Sequence, residues 1–573
     1  MPLDGLTLNV LIRELDPLLK NGRVVKIYQP DETTITLQLR VPGKTEILLI
    51  STDAIYPRIH TLGEQPENPL NPPAFCMLLR KYLEPSRLLK IEQQGLDRIC
   101  HLHFEGINPA GQSMELTLVF ELMGRHSNLY LLSEDGIILD ALKRFQDKGV
   151  APGKPYVTPS AQGKIDPRGL SAKQFDNEIR LLPAPTPIWK WIAESFQGFS
   201  KVAAKEVLSR AGFDPATERR ELGPEDWPRV QDAFMDLLSE LRQGGTPTWY
   251  REGLRDFVAY KLTGFQGEVF ENANSLIQTV LGKRQEAKEM DEFKSRLRKQ
   301  LANHYKRVVK KEALQQTTLQ EAEQADLYRH QGELLTASFH LIPQGTSTVE
   351  VPDYTLEDAP LVTISLDPRL SPSANVQRIF KRYAKTKASQ KHASLQLKKT
   401  RLERKYLEDI LLQIEFADNT AILREIEAEL ASSGYLKGKS KPSSRKTPAS
   451  PGPDRYLSVD GITILVGRNN QQNDHLTFRL SGPNHLWLHA RGVPGSHVSI
   501  LSEGEIPPGT LLQGAQLAAY FSQNRTSPKV PVDYTLRKHV RKPKGAGPGF
   551  VHYDEAKTIL VNPTDFQMPV KQT

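Results

Sequence analysis

Residues 283–331, KRQEAKEMDEFKSRLRKQLANHYKRVVKKEALQQTTLQEAEQADLYRHQ, contain neither Gly nor Pro, and residues 373–433 share that property. Both residue types disfavour helix interiors, so these spans read as the two longest helices of the chain. In the first, Met290, Phe293, Leu297, Leu301, Tyr305 and Val308 recur at steps of three and four. In the second, Leu395, Leu402, Tyr406, Ile410, Ile422, Leu423, Ile426 and Leu430 do the same. A one-sided apolar stripe on a charged rod is the pattern of a coiled coil. Between the rods, residues 339–372 are β-rich and punctuated by Pro. Two rods of similar length around one compact insert predict an antiparallel hairpin within the chain, ahead of a dimerising coiled coil. At 1.5 Å per residue, about 50–60 residues make an arm of roughly 75–90 Å.

The rest of the composition narrows the class. At 573 residues the chain holds more than one domain. Two cysteines, Cys76 and Cys100, exclude a disulfide scaffold and a Cys-rich zinc site. No basic-then-apolar leader opens the sequence and no apolar run of membrane length occurs, so a cytoplasmic protein without a membrane partner is expected. No cofactor or metal is called for. The formal net charge of +8 is too small to identify a polyanion partner by itself.

Upstream of the arm, Leu8, Leu11, Leu15 and Leu19 mark an amphipathic helix. Alternating runs at 23–28, 33–40, 46–50, 88–93, 98–104, 114–121 and 129–132 read as antiparallel strands. Asp97-Arg98 falls between two of them, after Gly95, and Gly124–Asn128 forms a polar loop. An Arg oriented by a neighbouring carboxylate suits a phosphate, although spacing alone reads first as a surface salt bridge. Residues 188–212 read as helix, Gly turn, helix, loosely like a helix-hairpin-helix unit, which presents backbone N–H groups to phosphate.

Downstream, residues 436–453 are rich in Lys, Ser and Pro and read as a linker. The last segment places Arg491, Ser496 and His497 in one Gly-Val-Pro-Gly-Ser turn. It ends with Arg537, Lys538, Arg541 and Lys542 among tyrosines, a nucleic-acid-type surface. Nothing specifies the orienting group or oxyanion hole that a Ser496–His497 or Ser496–His489 hydrolase would need.

Taken in order, several motifs resemble the NFACT family of ribosome quality-control proteins. They are Leu3-Asp4-Gly5, FCMLLRKYL at 75–83, Gly95–Arg98, LMGRHSN at 122–128, YRHQGELL at 328–335, NVQRIFKRYAKTK at 375–387, LVGRNN at 465–470, WLHARGVPGSHV at 487–498 and VDYT at 532–535. The resemblance implies an α+β multidomain chain. Its parts would be an NFACT-N α/β module (1–180) with a fold like the N-terminal part of the formamidopyrimidine glycosylases, and a helix-hairpin-helix-like module (181–275). An antiparallel coiled-coil arm (276–435, tip insert 339–372), a basic linker (436–454) and an NFACT-R RNA-binding module (455–573) would follow. It further implies a factor, not an enzyme, that binds the large (50S) ribosomal subunit obstructed by peptidyl-tRNA. Such a factor recruits alanyl-tRNA for C-terminal alanine tailing, touches the stalk base with the arm tip, and works with a small RqcP-like partner. Asp4, Asp97, Arg98 and Arg125 would then bind tRNA. Arg491, His497, Lys538, Arg541 and Lys542 would face ribosomal RNA or protein. The competing expectation is a fibronectin-binding surface adhesin. A glycosylase using Pro2 is disfavoured, because Leu3 stands where the acid should follow and four zinc-binding cysteines are missing.

Overall fold

The computed structural model describes residues 3–84, 86–107, 112–144, 151–159, 163–180, 182–183, 185–322, 324–436, 452–564 and 568–572. Pro2 and most of the expected linker, residues 437–451, lie outside the described residues. The chain divides into two compact units, Met1–Lys288 and Glu289–Thr573.

The first unit opens with α1 (Gly5–Leu19). There follow β1 (Arg23–Tyr28), β2 (Thr34–Val41), β3 (Lys44–Ser51), β4 (Arg58–Leu62), α2 (Ala74–Leu83), β5 (Arg87–Gln93), β6 (Ile99–Ile107), β7 (Ser113–Glu121), β8 (Asn128–Leu132) and β9 (Ile138–Ala141). The strands form one sheet in the order β4-β3-β2-β1-β5-β6-β7-β8-β9, antiparallel at every step. Alternation drives it: Ile35, Leu37 and Leu39 of β2 are fully buried. On α1, Leu8, Leu11, Leu15 and Leu19 are buried likewise. After the sheet come α3 (Ala172–Arg180), α4 (Ile188–Ser195), α5 (Lys201–Arg210), α6 (Trp227–Arg242) and a small sheet of β10 (Thr248–Tyr250), β11 (Asp256–Val258) and β12 (Glu268–Val269). These elements share one continuous apolar core with the large sheet, from Leu3 to Leu281. Its helical part centres on stacked aromatics, with Phe199 and Phe234 at 4.8 Å and Phe196 and Phe234 at 4.9 Å.

The arm is built from α7 (Ala273–Ala322), α8 (Ala325–Ala337), the tip hairpin β13 (Thr348–Pro352) and β14 (Leu361–Ser365), α9 (Pro372–Phe416) and α10 (Thr420–Ser432). Polar pairs record the running direction of α7 against α9: Lys294 reaches the Glu415 carbonyl, Tyr305 reaches Glu408, and Arg401 reaches Glu312. Partner numbers fall as α7 numbers rise, so the two helices run antiparallel. Leu297, Leu301 and Val308 bury against Leu407, Ile410 and Ile414. Near the tip, α8 crosses α9 at Gly332, where a Cβ would come within 2.9 Å of the Phe380 ring.

Three expectations fail here. The span 283–331 is not one helix: α7 ends at Ala322 and α8 starts at Ala325. The span 373–433 is not one helix: α9 ends at Phe416, and α10 starts afresh with the Asn419 side chain accepting from the Ile422 amide. The break needs no Gly or Pro, because a good N-cap supplies an alternative end. The apolar stripe is also misassigned in part. Leu395 and Leu402 are 56% and 58% exposed, while Ala393, Leu397 and Thr400 are buried instead. The seam follows positions 393, 397 and 400, leaving the two leucines outside it.

The C-terminal module comprises β15 (Asp454–Leu457), β16 (Thr463–Val466), α11 (Asn470–His475), β17 (Leu486–Ala490), β18 (Val498–Ile500), α12 (Pro508–Tyr520), β19 (Val530–Leu536), β20 (Val540–Arg541), β21 (His552–Tyr553), β22 (Lys557–Val561) and β23 (Val570–Gln572). Seven of these strands form an antiparallel sheet in the order β22-β19-β17-β18-β16-β15-β23, and β20 pairs with β21. Helix α12 covers the sheet. Its Gly514 brings the backbone so close that a Cβ would sit 2.9 Å from Ile500.

The module docks on the arm's base through the Gly467–Asn470 motif. Arg468 bonds Asp454 at 2.9 Å and the Phe416 carbonyl at 2.5 Å, and its guanidinium stacks 4.3 Å from the Phe521 ring centre. Asn470 receives Gln413 and donates to Glu429, whose other partner is the Tyr406 hydroxyl. Beside them, burial pushes the Asp409 carboxyl up to about 7. Its protonated form is therefore favoured in the folded state. That contribution to stability is complete below the ordinary carboxylate range and is lost as pH rises through 7. Asp409→Asn should accordingly stabilise the C-terminal unit by on the order of 2 kcal/mol at pH 8 and by little at pH 4. Thermal melts at the two pH values check this, and an equal effect at both would refute it.

Candidate nucleic-acid sites

The β5–β6 connection makes a tight turn. Gly95 takes φ 57°, and the Asp97 amide bonds the Gln94 carbonyl at 2.9 Å. The Asp97 carboxylate then accepts the Arg98 amide at 2.7 Å, fixing the start of β6. Gln93 ties this turn to α1, donating to the Asp97 and Gly5 carbonyls at 2.7 and 2.9 Å. Gly5 is obligatory there, since a Cβ would lie 2.0 Å from the Leu96 carbonyl oxygen.

A second turn meets the first. Gly198, at φ 85°, joins α4 to α5, and a Cβ on it would strike Leu96 at 2.9 Å. Ser200 caps α5, and its hydroxyl also donates to Asp4, the cap of α1, at 2.8 Å. Asp4 accepts two further bonds, from the Thr7 amide and the Tyr260 hydroxyl at 2.8 and 3.0 Å. Burial, and then the Asp4 charge, push the Tyr260 hydroxyl well above its ordinary range.

The two helix N-termini therefore open on one cleft of about 480 Å³, lined by Asp4, Asp97, Arg98, Lys164, Ser200 and Lys201 among others. Apolar walls come from Leu96, Met123 and Phe257. First-turn amides lack partners within their helix, and the helix dipole adds positive potential at the same end. Arg98, Lys164 and Lys201 share the lining with the Asp4, Asp97 and Asp256 carboxylates, so the helix starts and Arg98 together suit a phosphate-bearing ligand that also presents a flat apolar part.

Of the four residues expected at this site, Asp4, Asp97 and Arg98 are brought together. Arg125 is not among the cleft's lining residues; it lies exposed in the short turn Gly124–His126, bonding His126 at 3.1 Å. Asp4 is 7% exposed with both oxygens occupied, so it holds two helix starts together and presents little to a ligand. Lys164 and Lys201 escaped the sequence reading. The Ser-Lys pair opening α5 was a visible signal for the second; the first depends on a loop whose course local sequence does not dictate.

In the C-terminal module, Lys538 and Arg541 are exposed, and so is Lys542, which pairs with Asp474. Arg491 is exposed beside Asp533 at 3.7 Å. His497 corrects an expectation. It is 2% exposed, its Nδ1 lies 2.8 Å from the Thr477 hydroxyl, and its ring packs edge-on to Trp487 at 5.1 Å. Burial holds it well below the ordinary histidine range, so it is a neutral core group and not a surface cation. His489, through burial and the neighbouring Lys405, falls to about 4. Ser496 is buried, and among the described residues it makes no hydrogen bond to either histidine. Among the described residues, no group of His, Cys, Asp and Glu could hold a metal ion, and no helix is long and apolar enough to cross a membrane.

An α+β head with a charged cleft, followed by a second sheet edged with Lys and Arg, is the build of a multidomain nucleic-acid-type protein. More narrowly, the chain belongs to the NFACT family: residues 4–448 match its N-terminal and middle domains, and residues 454–552 match its RNA-binding domain. It is 36% identical to the Rqc2 homolog RqcH of Bacillus subtilis, over 98% of both chains. It is 32% identical to the Rqc2 homolog RqcH of Streptococcus suis, over 99% of both. Among solved structures, it resembles the C-terminal part of the fibronectin/fibrinogen-binding protein from Streptococcus suis at 34% identity. That match covers 48% of this chain and 96% of the other, with a TM-score of 0.39, a likeness too loose to carry an argument.

Proposed function

We propose that this chain is a ribosome quality-control factor that holds tRNA at the Asp97–Arg98 cleft. In this reading it binds large (50S) subunits obstructed by peptidyl-tRNA and recruits alanyl-tRNA for C-terminal alanine tailing. Peptide-bond formation is left to the ribosome, so the chain is not itself an enzyme. Arg98 and Lys201 take phosphates, Asp97 orients Arg98, and Asp4 positions both helix starts. Arg125 extends the tRNA contact outside the cleft. Arg491, Lys538, Arg541 and Lys542 face ribosomal RNA, the tip insert meets the stalk base, and an RqcP-like protein assists in the cytoplasm.

The observation that supports this most is the convergence of two capped helix N-termini on the Asp97–Arg98 turn, with Lys164 and Lys201 at its rim. A single cation would fit many anions. Two helix starts, an apolar wall and three cations set among the Asp97 and Asp256 carboxylates fit a nucleotide within a longer chain. The names of the full-length relatives supply the ribosomal context. The test is to purify the tagged protein from cells and sequence the RNA that accompanies it. One tRNA class should be enriched many-fold over its cellular share, together with large-subunit RNA. Enrichment of neither overturns the reading. Retention on immobilised fibronectin by the same preparation would favour the adhesin instead.

A further inference from the structure

Two stretches of the arm's helices carry charge almost wholly of one sign. Residues 294–311 of α7 hold eight Lys and Arg and no carboxylate; residues 378–405 of α9 hold eleven, with Glu403 alone against them. Those two stretches have a formal charge of +18 in a chain that totals +8, so everything outside them is net negative. The tip is opposite in character: residues 326–367 carry seven Asp and Glu against Arg329 as the one Lys or Arg.

Part of the shaft's charge is used within the fold. Arg296 and Arg298 pair with Glu427 and Glu415, and Arg401 and Arg404 with Glu312. Several of the lysines are not. Lys306, Lys310, Lys391, Lys398 and Lys399 are exposed and enter no ion pair among the described residues. Lys391 and Lys398 stand seven positions apart, on a side of α9 away from the buried Ala393 and Leu397, about 10 Å apart along the axis. The misassigned Leu395 and Leu402 share that side. A solvated coiled-coil face usually mixes signs so that neighbours attract. A one-sign face repels itself and is relieved by a polyanion.

We propose that the shaft is a phosphate-binding surface that lies along the backbone of structured RNA, by charge and without sequence readout. Long, exposed lysines on a straight rod suit a row of phosphates, where counterion release supplies the affinity. A membrane would need a continuous apolar face, which this helix spends on its seam, leaving two separate leucines. An acidic protein is the remaining competitor, and the leucines identify its footprint. These residues are different from those of the cleft assigned to tRNA.

The test uses the full-length protein with Asp97→Ala and Arg98→Ala already present, so that failure of the cleft reading and failure of this one are separable. The probe is a 20-base-pair RNA duplex of arbitrary sequence, followed by anisotropy from 50 to 300 mM salt. Adding Lys391→Gln, Lys398→Gln and Lys399→Gln keeps helix-forming residues at exposed sites, and an unchanged circular dichroism melt confirms the fold. Affinity at 100 mM salt is expected to fall at least tenfold, and the salt dependence of log K to flatten by about two to three units. Unchanged affinity and slope would overturn the proposal. So would loss of ribosomal-subunit co-sedimentation in Leu395→Ser, Leu402→Ser when the Gln variant still sediments normally, because that result assigns the face to a protein.

Discussion

Replacing Asp97 and Arg98 together by Ala is expected to weaken tRNA binding by roughly a hundredfold or more. The Arg98 guanidinium lines the cleft, and Asp97 fixes the backbone from which it projects. A charge-assisted hydrogen bond contributes about 1.5–3 kcal/mol, and about 1.4 kcal/mol is tenfold in affinity. Losing the cation and its orientation therefore removes on the order of 3 kcal/mol. Ribosomal-subunit co-sedimentation should survive, because the C-terminal cations are untouched. Arg98→Lys keeps the charge and gives up the planar fork, so it should fall between the two. Anisotropy with labelled tRNA reads all three proteins. A double variant within threefold of the parent would remove Asp97–Arg98 from the tRNA site.

The other large effect is expected from Arg468→Ala. This guanidinium is 5% exposed on its side chain and meets four partners: Asp454, Asp418, the Phe521 ring and the Phe416 carbonyl. Phe416 ends α9, where carbonyls lack helical partners and the dipole is negative, so Arg468 also caps the long helix. Truncation leaves the Asp454 carboxylate with Lys571 alone and the helix end open, a loss on the order of 3 kcal/mol. The unfolding transition of the C-terminal unit should drop by several degrees in a calorimetric scan. Arg468→Lys should recover only part of it, lacking the stack on Phe521. A transition within one degree of the parent in Arg468→Ala would show that the motif is not what holds the module to the arm.

Much of this architecture is legible in the sequence. Exclusion of Gly and Pro over 283–331 and 373–433 marked the long helices, because backbone conformational limits act residue by residue. Alternation exposed seven strands of the first sheet; β4 and β9 were missed, both short and only weakly alternating. The Asp97-Arg98 turn was correctly placed between strands for the same local reason. Periodicity failed at Leu395 and Leu402. A stripe shows that one face is apolar, but not which neighbouring positions a partner helix will cover. The uninterrupted-helix reading failed again at 417–419, where the Asn419 cap starts a new helix and Arg468, fifty-two positions beyond Phe416, holds the end of the old one.

The sequence by itself therefore determined the element types, the arm with its β-rich insert, and the basic character of the C-terminal segment. Local dihedral preference and charge are properties of residues one at a time. Only the tertiary structure decided which charges can act. It buried Asp4 as a girder between two helix starts and withdrew His497 into the core. It gathered Lys164 and Lys201 around Asp97–Arg98, and it left the shaft lysines facing water. The physical reason is that burial and pairing are set by neighbours distant in sequence, and those neighbours decide whether a charged group supports the fold or meets a ligand.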